Sequence, residues 1–168
     1  MENAPHIPLE FNRLTEEEMR ETADRMFERF SARRTVRHFS TEPLPMDVVR
    51  RCIQAAGTAP SGAHKQPWHF CLVTDPDLKK RIRGAAEKEE YENYHGRMNE
   101  AWIDDLKPFD TDHIKPHLED APALIVVFRQ SWTPDAGSDS GKSQNYYVQE
   151  SVGIASGMLL SALHECGI

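Results

Sequence analysis

The sequence predicts an α+β fold in which several helices surround a small β-sheet. Three stretches carry apolar residues at helical spacing, and residues 144–166 form a fourth, apolar around much of its circumference. Two shorter runs, residues 68–74 and 123–128, have the β-branched and aromatic composition of strands. With 168 residues, 39% of them apolar and 28% charged, the chain has the size and composition of one globular domain. We therefore expect residues 1–168 to form a single domain.

Local signals place the ends of the first two helices. Residues 1–14 have no periodic pattern and are expected to form an extended arm. Thr15 and Glu18 follow with the spacing of a capping box, which predicts a helix start. Pro45 favours the first turn of a second helix, which we expect to end at Gly57 in the left-handed conformation.

The second half of the chain alternates ordered and weakly patterned segments. Asp75 and Pro76 predict the start of a third helix. Residues 123–128 form a continuous apolar run, which predicts a central strand covered on both faces. Residues 131–143 are rich in Gly, Ser and Asp and predict an exposed loop. The last helix is expected to end with Gly167 as its cap, and its apolar surface requires several neighbours or a second subunit.

Composition and charge exclude several classes of function. Twenty basic residues against 27 acidic ones give a net charge of -7, the wrong sign for a general nucleic-acid binder. The longest apolar run, Leu124 to Phe128, is far shorter than the roughly 20 residues that span a bilayer, and no secretory signal is visible. Three widely spaced cysteines form neither a disulfide framework nor a zinc pattern. We expect a cytoplasmic protein that binds neither membrane nor nucleic acid.

Three short patterns resemble catalytic motifs but lack essential parts. Residues 141–143 read Gly-Lys-Ser, without the upstream glycine that a phosphate-binding P-loop requires. His113 and His117 are four apart, but a proline between them disfavours the helical turn that would align them on a metal, so solvated loop histidines are expected. Ser61 and His64 have no nucleophile elbow and no orienting acid. None of these patterns predicts a triphosphatase, a metal site or a hydrolase.

Two charged segments allow more than one interpretation. Arg33, Arg34 and Arg37 lie outside any helical stripe and could hold a phosphate, but a solvated charge run would look the same. Glu90 and Tyr94 are four apart and share a face if the segment is helical. That face could recognise a ligand or simply contact water.

Taken together, several stretches resemble the nitroreductase superfamily, and within it the deiodinase branch. The resemblance covers the chain almost without gaps from about Arg33 to Ile168. Its most specific part is the run Gly57 to His64 followed by Pro67 and Trp68. The stretches that carry the resemblance are Arg33-Arg34-Thr35-Val36-Arg37, Thr58-Ala59-Pro60-Ser61-Gly62-Ala63-His64, Gln66-Pro67-Trp68, Glu90 to Tyr94, Trp102 to Leu106, Lys115 and Ala121 to Phe128.

This resemblance implies a nitroreductase-type fold, with helices around a mixed β-sheet in a sandwich-like arrangement. It also implies an intertwined homodimer that binds FMN at the subunit interface. Arg33, Arg34 and Thr35 match positions that hold the phosphate and ribityl chain, and Arg37 matches one near the pyrimidine edge of the flavin. The full set of positions implied in cofactor binding is Arg33, Arg34, Thr35, Val36, Arg37 and Ser61.

The resemblance implies that residues 87–118 form a lid over a halotyrosine. Ala63 matches the position whose N–H meets the substrate phenolate, and Glu90, Tyr94 and Lys115 match the groups that hold the amino-acid part. The implied activity is FMN-dependent reductive dehalogenation of iodo-, bromo- or chlorotyrosine or of related halophenols. No protein residue is assigned as a catalytic group, and no metal is implied. NAD(P)H or a reductase would supply the electrons.

Two other functions fit the same fold. One is a general nitroreductase or quinone reductase, and the other is a non-catalytic, flavin-binding dimer module. The resemblance also implies a continuation beyond Ile168, with a threonine that contacts flavin N5 and a later arginine on the phosphate. We therefore expect the chain to be truncated at its C-terminus relative to this family.

Overall fold

The structure, a computed structural model, describes residues 8–168. This part of the chain contains six α-helices and four strands, with short 3₁₀ or π-helical turns at residues 62–64, 93–97 and 107–109. The helices are α1 (Glu16–Ala32), α2 (Met46–Ala56), α3 (Pro76–Glu92), α4 (Glu100–Leu106), α5 (His117–Asp120) and α6 (Val148–Glu165). The strands are β1 (Trp68–Val73), β2 (Leu124–Arg129), β3 (Trp132–Pro134) and β4 (Lys142–Gln144).

The chain divides into two compact units, one up to Arg34 and one from Thr35 onward. The single domain expected from the sequence stays a prediction. Residues 1–7 of the predicted arm lie outside the described residues, and residues 8–14 have no regular secondary structure.

Helix α1 begins at the predicted capping box. The Thr15 backbone N–H donates to Glu18 Oε2 at 2.8 Å, and the Glu18 N–H donates to Thr15 Oγ1 at 3.3 Å. These two bonds satisfy backbone donors that have no partner within the helix. None of the α1 residues is buried, and Phe27 is 74% exposed. The amphipathic pattern that predicted α1 therefore leaves an apolar face open.

The core of the second unit lies where α2, α6 and the β1–β2 sheet meet. Cys52 and Ala56 of α2 and Leu159 of α6 are buried there, and Phe70 and Ile125 of the sheet pack against them. Burial of apolar side chains from two helices and one sheet face is the main force holding this unit together.

Helix α2 begins after Pro45 as predicted, but the prediction of a left-handed Gly57 is wrong. Gly57 has φ -65°, in the right-handed region. The backbone continues in tight turns after α2. The Thr58 N–H donates to Ala55 O at 3.1 Å, and the Ala59 N–H donates to Ala56 O at 3.1 Å. The Thr58 hydroxyl also donates to Ala55 O at 2.7 Å. These bonds satisfy the last carbonyls of α2, so no left-handed residue is needed.

Strands β1 and β2 pair antiparallel, with Trp68 opposite Arg129 and Val73 opposite Leu124. The prediction that β2 is a central strand covered on both faces is wrong for the described residues. Strand β2 pairs there with β1 alone, and Phe128 is 53% exposed. A continuous apolar run predicts that a strand is buried. It does not predict how many strands pair with it. The parallel pair that a mixed sheet requires is not among the described strands, since β3 and β4 are also antiparallel.

Part of the predicted loop at residues 131–143 is a β-hairpin. Strand β3 pairs with β4, and the Lys142 ammonium lies 4.8 Å from the centre of the Trp132 ring. Asn145 is buried and fixes the base of the hairpin. Its Nδ2 donates to Gln130 O at 2.9 Å and its Oδ1 accepts from Thr133 Oγ1 at 3.0 Å. The Gly-Ser-Asp composition predicts the turn correctly but gives no signal for such short strands.

Helix α6 starts at Val148, later than the predicted residue 144, because Tyr147 adopts a left-handed conformation with φ 49°. Its predicted C-terminal cap is confirmed. Gly167 has φ 75°, its N–H donates to His164 O at 3.1 Å, and Ile168 N–H donates to Leu163 O at 3.0 Å, which is a Schellman motif. Among residues 8–168, no helix has the length and hydropathy needed to cross a membrane.

Candidate functional site

Three residues that were predicted to hold a substrate lie together between α3 and the segment 111–116. The Lys115 ammonium is 3.4 Å from Glu90 Oε2 and 6.0 Å from the centre of the Tyr94 ring. The Tyr94 hydroxyl donates to Thr111 O at 3.0 Å. The Lys115 side chain is only 15% exposed and the Glu90 side chain 33% exposed, so the pair is partly shielded from water. An anion, a cation and a phenol are therefore grouped in one place.

The local structure explains why Glu90 and Tyr94 face the same segment. Helix α3 starts at Asp75, whose side chain accepts from Leu78 N–H at 2.7 Å, and it runs without interruption to Glu92. A π-helical turn at Asn93–Arg97 follows and carries Tyr94. Wide turns of this kind are frequent at functional sites. The segment from Asn93 to Phe109 contains this turn, α4 and a 3₁₀ turn.

A cavity of about 580 Å³ lies beside these residues in the second unit. It is lined on one side by the segment Thr35 to His38 and on the other by residues 109–117, which include Lys115. Its charged residues are Arg37, Lys115, Asp110 and Asp112, so the cavity offers both positive and negative charges to a polar ligand. The residues that line it are Thr35, Val36, Arg37, His38, Phe109, Asp110, Thr111, Asp112, Ile114, Lys115, Pro116 and His117.

His117 is the titratable group of this cavity with a shifted pKa. Partial burial lowers the pKa of His117 below its ordinary value of 6.5, and the positive charges of Lys115 and Arg37 lower it further. His38 acts in the same direction, and the carboxylate of Asp120 opposes it. The imidazole is therefore neutral at pH 7, which keeps one more positive charge out of the cavity.

Replacing Lys115 by methionine should raise the pKa of His117, because a neighbouring positive charge is removed. Histidine ring resonances followed by NMR titration would measure it in the variant and the parent. In the parent, the lowered pKa means that His117 stabilises the fold fully above about pH 6.5 and loses this contribution as the pH falls through the folded-state pKa. A His117 pKa that is equal in both proteins would contradict the electrostatic effect of Lys115 on His117.

Arg33 and Arg34 belong to the first unit, at the end of α1. Arg33 is the C-cap residue, and its N–H donates to Phe30 O at 3.2 Å. The Arg34 guanidinium donates to the carbonyls of Ser31 and Arg33. Both residues are exposed. Their role in holding a phosphate stays a prediction.

The loop that carries Ser61 and Ala63 has an unusual backbone. Ala63, His64 and Gln66 have φ values of 49°, 54° and 46°, which are uncommon for residues other than glycine. Ser61 Oγ accepts from the Gln66 N–H at 2.9 Å and so stabilises the turn. Strained backbone of this kind concentrates at ligand sites. Ser61 and Ala63 do not line the cavity that contains Thr35 and Lys115.

Sequence reasoning missed contacts around the candidate lid. His113 and His117 were predicted to be solvated, but both are half-buried. The ring of His113 packs edge-on against Tyr91, with centroids 5.2 Å apart, and His117 lines the cavity. No role of its own was predicted for Glu87, yet its Oε1 accepts from the Lys115 N–H at 2.8 Å. The one local signal was the four-residue spacing of Arg83 and Glu87, a pair that is 2.7 Å apart.

The chain belongs to the nitroreductase family, whose family model matches residues 30–168. Curated relatives include the iodotyrosine deiodinase of Haliscomenobacter hydrossis, 51% identical over 162 residues that cover 96% of this chain and 72% of the relative. Mouse iodotyrosine deiodinase 1 is 44% identical over 167 residues, which cover 99% of this chain and 58% of the mouse protein. The chain thus spans between about half and three-quarters of the length of these relatives.

Solved structures agree with this assignment. A crystal structure of oxidized iodotyrosine deiodinase bound to FMN and 3-iodo-L-tyrosine matches with a TM-score of 0.73 and 32% identity, covering 84% of this chain and 70% of that one. An FMN-dependent nitroreductase from Clostridium difficile matches with a TM-score of 0.59 at 23% identity, covering 86% and 58%, and supports the fold alone. The predicted family and the α+β nitroreductase-type fold are confirmed.

Proposed function

We propose that this protein is an FMN-dependent oxidoreductase that reductively removes halogen from halotyrosines or related halophenols. The observation that carries the proposal is the grouping of Glu90, Tyr94 and Lys115 beside a cavity that Thr35 and Arg37 also line. The relatives named iodotyrosine deiodinase, and the structure of one with FMN and 3-iodo-L-tyrosine, support it.

The substrate class follows from the charges of the lid. A free amino acid carries one ammonium and one carboxylate. The Glu90 carboxylate could pair with that ammonium, and the Lys115 ammonium with that carboxylate. These two groups are 3.4 Å apart in the structure, so an entering amino acid would replace one ion pair by two. Tyr94 would pack on the ligand or hydrogen-bond to it. Charge-assisted bonds in a partly shielded site are stronger than neutral ones, and this favours tyrosine derivatives over simple phenols.

The residues present fit FMN. The Arg37 guanidinium and the Thr35 hydroxyl line the cavity, and Arg33 and Arg34 precede them in the sequence. Guanidinium groups bind phosphate bidentately, and an arginine near the pyrimidine edge would stabilise negative charge there. Val36 and Ser61 complete the proposed set. When bound, FMN supplies the two electrons of the reduction.

The reaction needs little acid–base chemistry from the chain. The aryl carbon–halogen bond is replaced by a carbon–hydrogen bond, with two electrons and one proton consumed and halide released. The Ala63 N–H is proposed to donate to the phenolate oxygen, as an oxyanion-type contact. The lid, residues 87–118, is proposed to close over the substrate and exclude water. NAD(P)H or a reductase is the proposed electron donor.

A homodimer is part of the same proposal. Ser61 and Ala63 do not line the cavity that contains Thr35 and Arg37, so a site that uses both sets can be completed by a second copy. Apolar residues exposed on α6, including Leu160 at 56%, would be covered in such a dimer. We also propose a cytoplasmic location, which agrees with the free thiols of Cys52, Cys71 and Cys166.

The proposal is tested by adding FMN to the purified protein and measuring quenching of flavin fluorescence. Dithionite-reduced protein is then mixed with 3-iodotyrosine, and iodide release is compared with turnover of a nitroarene. We expect bound FMN and preferential iodide release. Faster turnover of the nitroarene would favour the general reductase, and bound FMN without turnover of either compound would favour a flavin-binding module. Absence of FMN binding would overturn the proposal altogether.

A further inference from the structure

We propose that Glu87 is a positioning residue that fixes Lys115 for recognition of the substrate carboxylate. This inference rests on the proposed function and adds a determinant of substrate specificity to it. It starts from the contacts of Glu87, which lies on α3 about one turn before Glu90 and two turns before Tyr94.

Glu87 holds the main chain of Lys115 rather than its side chain. Glu87 Oε1 accepts the Lys115 backbone N–H at 2.8 Å and the Arg83 Nε–H at 2.7 Å. The Lys115 ammonium is directed elsewhere, to Asp112 O and towards Glu90. The bond therefore fixes where the lysine side chain begins and leaves its charge available to a ligand.

Arg83 connects Glu87 to Glu119, which lies four residues after Lys115 in the chain. Its Nη1 donates to Glu119 Oε2 at 3.1 Å while its Nε donates to Glu87. One turn earlier, the buried Lys79 donates to Glu119 O at 2.8 Å and Ala121 O at 2.6 Å. Residues 79, 83 and 87 lie four apart on one face of α3, so this face holds the segment 115–121 at three successive levels.

The electrostatics favour the charged form of Glu87. The hydrogen bond from Arg83 is the main cause that lowers the pKa of Glu87, and the bond from the Lys115 N–H acts in the same direction. The Arg83 and Glu87 side chains are 28% and 22% exposed, so the pair is partly shielded. Arg83 balances the charge of Glu87, and the Lys115 ammonium forms its ion pair with Glu90 instead.

The test compares 3-iodotyrosine with 2-iodophenol, which has the halophenol ring but no carboxylate. In the FMN-loaded protein, Glu87→Ala should raise KM for iodotyrosine about tenfold or more, since a charge-assisted bond that holds Lys115 is lost. KM for iodophenol and kcat for both should stay within about twofold. Glu87→Gln keeps an oxygen that can accept the Lys115 N–H, and we expect an intermediate effect. The matched control is Glu89→Ala, because Glu89 is on the same helix as Glu87 but pairs with Arg97 of the following π-helical turn.

A second readout does not depend on turnover. Hydrogen exchange of the Lys115 amide should be faster in Glu87→Ala than in the parent and unchanged in Glu89→Ala. Unchanged exchange, or an equal rise of KM for both substrates, would overturn the positioning role while an active parent enzyme keeps the proposed function. A parent protein that binds FMN but releases no iodide would instead overturn the proposed function, whatever the exchange shows.

Discussion

Replacing Lys115 by alanine is expected to raise KM for 3-iodotyrosine by about 10- to 100-fold, the loss of one hydrogen bond to a charged group. FMN affinity should be unchanged, because the residues proposed to bind FMN are in the segment 33–37 and at Ser61. KM for 3-iodotyrosine is expected to rise because the Lys115 ammonium pairs with Glu90 and Lys115 lines the cavity. Steady-state kinetics of iodide release and a fluorescence titration with FMN measure the two quantities.

Lys107→Ala is the matched control for this change. Lys107 also forms an ion pair, with Asp104 at 2.6 Å, but its side chain is 70% exposed and it does not line the cavity. Exposed pairs contribute little, so its kinetics should equal those of the parent. If Lys115→Ala and the parent have equal KM values, Lys115 does not bind the substrate.

The contrast between Glu87 and Glu90 explains how the proposed lid could stay fixed in place and still accept a ligand. Both are carboxylates on α3 that face Lys115, but Glu87 contacts its backbone and Glu90 lies near its ammonium. Only the second interaction can be exchanged for contacts with an amino acid. A lid built in this way keeps its lysine in place while the ion pair opens, which reduces the ordering cost of binding.

Much of the fold could be predicted from local sequence patterns. The capping box at Thr15, the Asp75–Pro76 start of α3 and the Gly167 cap of α6 are each determined by a few consecutive residues. The grouping of Glu90, Tyr94 and Lys115 was implied by resemblance to a family and is present in the structure.

The features that sequence reasoning missed depend on contacts between distant residues. The Glu87–Lys115 bond joins residues 28 positions apart, and neither residue type indicates the pairing. The β3–β4 hairpin has strands of three residues, too short to show alternation, and depends on the buried Asn145. Gly57 was predicted as a left-handed cap because glycine commonly has that role, but the Thr58 hydroxyl satisfies the helix end instead.

Gly62→Ala is expected to destabilise the protein by about 1–3 kcal/mol, as overpacking does, and to weaken FMN binding. A Cβ atom at Gly62 would lie 2.9 Å from the Tyr146 carbonyl oxygen and 2.9 Å from a ring carbon of Tyr147. The ring could rotate away, but the carbonyl is backbone, and Tyr147 is already in a left-handed conformation at the start of α6. The methyl group would therefore move the loop that carries Ser61 and Ala63.

Gly84→Ala is the control, because a Cβ there meets nothing within 4 Å and Gly84 lies inside α3. Alanine in a helix interior is favoured over glycine, so this variant should be more stable by up to about 1 kcal/mol and bind FMN like the parent. Urea unfolding gives the stabilities and flavin fluorescence the affinities. Weakened FMN binding in Gly62→Ala without any loss in Gly84→Ala would place the Ser61–Ala63 loop at the flavin, whereas a destabilised variant with parental FMN affinity would remove that loop from the site.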